Sequence, residues 1–360
     1  MSKPLVLTCD IGTQSARALL VDPDGRIVDV VQGKYAEPYF SKEPGWAEQK
    51  PDFYFDRLCE CCRELCARSN ALLPDVIAMT ITVIRDTVVC LDENNNPLRD
   101  IILWLDKRSV DPNGAIPAKN MMVFKLAGME PTAKVVYAAS VGNWIMRHEP
   151  EIWARTAKYV MLPTYLNYKL TGNLIDSASN QIGHIPFDYK NRRWMKPGSL
   201  TRCFCDVPNE KLCDLVPSGT VIGTITEEVC ALTGIPAGLP LISTGSDKGC
   251  ETLGLAVVDS DKASISLGTT ATIQFSTTQY VEPQQFLPAY PGVLNDHYNP
   301  EIEIYRGLWL LSWFVKEFGT ADAIDAKEMG MAPEALLDQR IRDLPAGSDG
   351  LLLQPYWTAG

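Results

Sequence analysis

Residues 6–22 read Val-Leu-Thr-Cys-Asp-Ile-Gly-Thr-Gln-Ser-Ala-Arg-Ala-Leu-Leu-Val-Asp. Two β-rich runs, residues 5–9 and 16–21, flank a polar turn, and this spacing predicts a hairpin in which Gly12 takes the positive φ of a tight turn. Asp10 then ends a buried strand. Gly12, Thr13, Gln14 and Ser15 offer backbone N–H groups and hydroxyls without bulk, the chemistry of a loop that holds phosphate oxygens. A carboxylate at the mouth of such a loop suits the hydration shell of Mg²⁺, an ion that prefers oxygen and keeps most of its water. Taken alone, the same pattern also describes an ordinary hairpin with a polar turn.

A second copy stands far downstream. Residues 262–277 read Lys-Ala-Ser-Ile-Ser-Leu-Gly-Thr-Thr-Ala-Thr-Ile-Gln-Phe-Ser-Thr, again an alternating strand, a Gly-Thr-Thr turn and an alternating strand. Two Gly-Thr hairpins in separate halves suggest a duplicated fold whose facing turns grip one polyphosphate. On these two hairpins the chain resembles the FGGY carbohydrate kinase family, which includes glycerol kinase, xylulokinase and gluconokinase, within the wider actin-like superfamily of sugar kinases and chaperone ATPases. The resemblance implies an α/β, actin-like and ribonuclease-H-like duplicated fold, with two domains around a cleft and the second incomplete.

Composition narrows the alternatives. With 360 residues, 46% of them hydrophobic, the chain can fill more than one core. A net charge of −11 leaves no basic stripe for nucleic acid. No segment approaches the roughly 18 uninterrupted apolar residues of a membrane helix. The start, Met-Ser-Lys-Pro, runs into a strand without a signal-peptide core, so a cytoplasmic protein is expected. Of eleven cysteines, Cys59, Cys62 and Cys66 fall on one face of a helix; they either fill space as small apolar groups or hold a metal, and no neighbouring His accompanies them. Cys203, Cys205 and Cys213 carry the same packing reading. The three histidines, at 148, 184 and 297, are scattered, which weighs against a zinc hydrolase or a His-dependent triad.

Along the chain, Asp22-Pro-Asp-Gly25 predicts a turn and residues 27–32 a third strand. Residues 43–51, Glu-Pro-Gly-Trp-Ala-Glu-Gln-Lys-Pro, resemble the family's Pro-Gly-Trp-x-Glu-x-x-Pro loop and are expected to line the site, against the alternative of a surface loop with one buried Trp. Residues 52–69 predict an amphipathic helix, 76–83 an apolar strand ending in Ile84-Arg85-Asp86, and 87–91 another strand. An adjacent Arg and Asp could be a solvated ion pair; the resemblance implies instead that Arg85 and Asp86 hydrogen-bond neighbouring substrate hydroxyls. It likewise implies that Trp104 packs against the substrate's carbon skeleton, with Arg108 nearby. Helices are expected over 134–148, 162–170 (closed by Thr171-Gly172), 227–233, 305–318 (its aromatics in the core) and 332–342. Residues 350–354 read as a strand. Residues 176–188 resemble a family segment poorly around Gln181-Ile-Gly-His184, and no site residue is expected there.

Residues 241–254, Leu-Ile-Ser-Thr-Gly-Ser-Asp-Lys-Gly-Cys-Glu-Thr-Leu-Gly, run from a buried strand through Gly245-Ser246 into a helix opened by Asp247. An Asp there is commonly an N-cap. The resemblance implies that Asp247 is the catalytic carboxylate. Lys248 departs from the amide usual after this Asp; it would either salt-bridge Asp247 and lower its pKa or meet an acidic sugar.

The resemblance thus implies an ATP-dependent kinase for a small sugar or polyol. Asp10 would hold Mg²⁺ through water; Thr13, Gln14, Ser15, Arg17, Gly268, Thr269 and Thr270 would hold ATP phosphates; Arg85, Asp86, Trp104, Asp247 and Lys248 would meet the substrate. Residues 1–245 would form the N-terminal domain and 246–360 the start of a C-terminal one, ending before the Gly-rich adenosine segment of the family. A homodimer stays open. So do two other readings: a sugar-binding regulatory module without kinase activity, and an actin- or chaperone-type ATPase, which has no use for the Pro-Gly-Trp loop or the Arg-Asp pair.

Overall fold

The alternation of residues 5–11 becomes the strand Leu5–Ile11, with Leu5, Leu7, Cys9 and Ile11 buried and the residues between them half-buried. In the computed structural model, which describes residues 3–268, 270–304 and 307–353, this strand pairs antiparallel with Ser15–Val21, and that strand pairs antiparallel with Ile27–Lys34. On its other side lie Val76–Val83 and then Pro240–Ile242, both parallel to it, with Val221–Thr224 antiparallel at the far edge. The topology has a direct consequence. Three parallel strands end on one edge of the sheet, so the Gly12 turn, Arg85-Asp86 and the segment leading to Asp247 all emerge there, and open α/β sheets bind their ligands at the carboxyl ends of such strands. The Thr82 hydroxyl donates to the Gly245 carbonyl at 3.1 Å and the Thr244 hydroxyl to the Ile81 carbonyl, which carries the alignment past the strand ends.

One face of this sheet is covered by the helix Phe53–Arg68. Its buried positions Tyr54, Leu58, Cys61, Cys62 and Leu65 recur at helical spacing, Asp56 sits in the first turn and Arg68 in the last, and both charges suit the helix dipole. Cys59, Cys61, Cys62 and Cys66 are all buried and unpaired by disulfides, and the Cys62 sulfur lies 3.5 Å from that of Cys9 on the first strand. Burial pushes the Cys59 and Cys66 thiols up to about 12. These cysteines are core filling. Cys62→Ser, which buries a hydroxyl against the Cys9 sulfur, is expected to lower unfolding stability by about 1–3 kcal/mol in a urea titration. A chelator should leave the wild-type midpoint unchanged.

The second Gly-Thr copy folds as its sequence predicts. Ser264–Leu267 and Ala271–Gln274 form an antiparallel hairpin, and Glu301–Ile304 adds a third antiparallel strand, the same three-strand order as at the N-terminus. Thr269 lies outside the described residues. No helix of the described residues is long and apolar enough to cross a membrane.

Several local expectations are corrected. Gly12 is not among the residues with positive φ; its N–H instead donates to the Ser15 carbonyl at 3.0 Å, and an added Cβ would press on that same oxygen at 3.3 Å. The predicted helix 134–148 is two helices, Glu130–Ala139 and Val141–His148, because Ser140 leaves helical geometry and caps the second through Asn143 N–H. The apolar helix is Trp309–Glu317, and Leu311, Phe314 and the following Phe318 are exposed rather than in the core. Its packing partners, Thr320–Glu328 and Pro333–Ile341, leave that stripe uncovered. Residues 351–353 carry no strand, and 354 lies outside the described residues. The helices at 162–171 and 227–233 end as expected on left-handed Gly172 and Gly234.

Candidate active site

The edge where the parallel strands end opens onto a cavity of about 1090 Å³. Its lining includes the first hairpin at Asp10, Gly12, Thr13, Gln14, Ser15 and Arg17, the strand end at Arg85 and Asp86, the indole of Trp104, and Asp247 with Lys248. It also includes Gly268 and Thr270 of the second hairpin. Every described residue predicted to act on phosphate or substrate is therefore brought to one cleft.

Asp247 opens the helix Asp247–Gly254, but it is not the cap. Ser246 is: its side chain accepts from Gly249 N–H at 3.3 Å. That leaves the Asp247 carboxylate, one position into the helix, free to face the cavity. Burial raises its pKa, only partly offset by the positive charges of Arg85 and Lys248. The Lys248 backbone N–H donates to Asp247 Oδ1 at 2.9 Å, but its ammonium does not pair with the carboxylate. The ammonium reaches forward one turn to Glu251 at 3.0 Å and across to the Ser266 hydroxyl at 2.7 Å.

On the first hairpin, neighbouring strands place Arg17 opposite Asp10, and the two form an ion pair at 2.6 Å. The Trp104 indole N–H donates to the Thr13 hydroxyl at 2.9 Å, so the aromatic wall and the phosphate turn are joined.

Arg85 is held by groups that the sequence reading did not assign. Its guanidinium makes a two-point contact with Glu301 of the second sheet and lies over the Tyr290 ring, 5.4 Å from the centroid. Glu301 in turn accepts from the Gln274 amide, whose oxygen accepts from Thr252 on the Asp247 helix at 2.6 Å. One buried polar chain thus ties the Asp247 helix, the second hairpin and Arg85 together.

Asp86 has a left-handed backbone, φ 49°, and its carboxylate accepts from the His184 backbone N–H at 2.9 Å and pairs with His184 Nδ1 at 2.8 Å. Gly183 makes the approach feasible, since a Cβ there would lie 2.2 Å from Asp86 Oδ1. Burial pushes the Asp86 carboxyl up, but the His184 ring and amide outweigh it and hold it below its ordinary value of 3.8. The Asp86 charge holds His184 above 6.5 against the opposing effect of burial. The His184 contribution is complete below 6.5 and is lost as pH rises through its raised value; the Asp86 contribution is complete above 3.8 and is lost as pH falls through its lowered value. His184→Gln should therefore cost most stability between these two ordinary values and progressively less on either side, measured as urea midpoints across pH.

His184 is the residue that sequence reasoning missed. Its segment is held from beneath by Asp176, which is fully buried and accepts from Thr164, Asn180, Gln181 and Ser177 N–H, with burial raising its carboxyl to about 6. The available signal was that Asp followed by Asn and Gln at one-turn spacing.

The Pro-Gly-Trp loop does not line the cleft. Trp46 stacks under the Arg108 guanidinium, 3.9 Å from its ring centroid, and edge-on to Trp144. Glu48 is fully buried and met by Lys42, Arg99 and Arg108. A buried carboxylate with three cations around it makes the loop a structural staple, and Arg108 belongs to that staple.

The family model described as the FGGY family of carbohydrate kinases, N-terminal domain, matches residues 5–254. The chain is 26% identical to the uncharacterized sugar kinase YgcE of Escherichia coli K12 over 99% of its own length and 65% of that protein's. It is 24% identical to a xylulose kinase of Bacillus subtilis 168 over 98% of its own length and 67% of the relative's. Among solved structures, gluconate kinase from Lactobacillus acidophilus superposes with a TM-score of 0.78 at 22% identity, over 99% of this chain and 69% of that one. The chain spans about two thirds of the length of the relatives it matches.

Proposed function

The chain belongs to the FGGY family of carbohydrate kinases, and we propose that it transfers the γ-phosphoryl group of ATP to a primary hydroxyl of a small sugar or polyol. The observation that carries this reading is the meeting of Asp247 with both Gly-Thr hairpins on one cavity.

In the reaction, the Asp247 carboxylate takes the proton of the substrate hydroxyl. The hydroxyl oxygen forms a bond to the γ-phosphorus as the bond to the β,γ-bridging oxygen breaks, and ADP leaves. A raised pKa makes Asp247 a stronger base, and general base catalysis of this kind contributes roughly 10²–10⁴ in rate. The remaining demand is positioning and charge neutralisation. Thr13, Gln14, Ser15 and Arg17 on one side, with Gly268 and Thr270 on the other, face the phosphate oxygens; Thr269 is assigned with them. Asp10 gives one carboxylate oxygen to Arg17, while its other makes no hydrogen bond among the described residues, a hard oxygen donor that fits Mg²⁺ held through water. Bound there, Mg²⁺ supplies positive charge to the polyphosphate. Trp104 packs against C–H bonds of the sugar, and Asp86 with the free N–H groups of Arg85 orients its hydroxyls.

Residues 1–245 and 246–360 act in this reading as two bodies whose closure excludes competing water. The test is ADP release by the purified protein with ATP and magnesium, across ketopentoses, ketohexoses, aldonates and polyols. Turnover with at least one is expected; ADP release indifferent to every sugar would contradict the proposal.

A further inference from the structure

We propose that the substrate is an uncharged sugar or polyol and not an aldonate or other sugar acid, a conclusion that rests on the kinase reading above. It comes from how the cations around the reacting group are already spent. Arg85 is committed to Glu301 through both terminal nitrogens. Lys248, the cation next to the base, is committed to Glu251 and Ser266. His184 gives Nδ1 to Asp86. Each carboxylate partner comes from within the protein, so these three cations are neutralised before a substrate carboxylate enters.

The balance of the lining points the same way. Among the described residues it holds seven Asp and Glu against four Lys and Arg. An added carboxylate beside Asp247 would meet like charge, which disfavours binding. Neutral hydroxyls meet no such cost. His184 Nε2, which has no hydrogen-bond partner among the described residues, is a polar atom able to read one of them. Lys248 is in this account a latent determinant: its charge is masked by one half-exposed residue, Glu251.

The experiment compares matched pairs, D-xylulose with D-xylonate and D-glucitol with D-gluconate, by sugar-dependent ADP release. For the wild-type protein, kcat/KM is expected to favour the neutral member of the better pair by about tenfold or more. Glu251→Gln releases Lys248 and is expected to shift the aldonate-to-neutral ratio toward the aldonate by about tenfold. Wild-type preference for an aldonate would overturn the inference and leave the kinase reading standing. An unchanged ratio in Glu251→Gln would overturn the role given to internal pairing. Absence of turnover with every member of the panel would overturn the kinase reading itself, and the inference with it.

Discussion

Asp247→Asn is expected to lower kcat for sugar-dependent ADP formation by about 10²–10⁴-fold, the usual range for loss of a positioned general base. The amide keeps the size of the side chain and the Ser246 cap, so the helix start survives. What disappears is a proton acceptor facing the cavity. The substrate KM is expected to change far less than kcat, because the groups assigned to hydroxyl recognition stay in place. The wild-type pH profile supplies a second readout. Asp247 must be ionised to act, and burial holds its pKa above the ordinary 3.8, so the acidic limb of kcat/KM is expected above that value. In Asp247→Asn that limb should vanish. A variant with full turnover and an unchanged limb would remove Asp247 from the chemistry.

The second large effect is on stability. Glu301→Ala is expected to cost about 3–5 kcal/mol, because it leaves the Arg85 guanidinium in a mostly buried place without its carboxylate. The loss also frees the Gln274 amide and breaks the connection to Thr252 on the Asp247 helix. Replacing both partners, Arg85→Met with Glu301→Leu, should recover most of that stability, since well-packed apolar pairs substitute for buried ion pairs at little cost. Sugar-dependent turnover should not recover with it. Urea midpoints for Arg85→Met, Glu301→Leu and the double variant form the cycle that separates the pair's coupling from the cost of a stranded charge.

Much of this site is visible in the chain itself because its parts are local. A hairpin needs only alternation and a small turn, and the two Gly-Thr copies announce themselves at Gly12 and Gly268. A strand running into Gly245-Ser246-Asp247 is likewise a contiguous pattern. Partnership across the chain is what the residues do not disclose. Glu301 lies 216 residues from Arg85, and His184 lies 98 from Asp86; neither pairing leaves a periodicity to find. The Pro-Gly-Trp loop misleads for the same reason. Its Trp46 and Glu48 have the right chemistry for a polyol site, but Arg108 and Arg99 reach them first and turn the loop into a buried ion-pair staple. Lys248 beside Asp247 invites a pairing that helix geometry redirects to Glu251, three residues on and on the same face. The φ of Gly12 is misjudged because the turn is closed by its N–H to Ser15, a geometry open to a residue with negative φ.

In the proposed reaction the Gly12 and Gly268 turns hold one polyphosphate between them. The most direct measurement is a titration of glycine-selectively ¹⁵N-labelled protein with magnesium and a non-hydrolysable ATP analogue, following the two amide signals. Both are expected to shift with a single common midpoint, and inorganic triphosphate is expected to move the same two. A shift confined to one turn, or two shifts with separate midpoints, would contradict it.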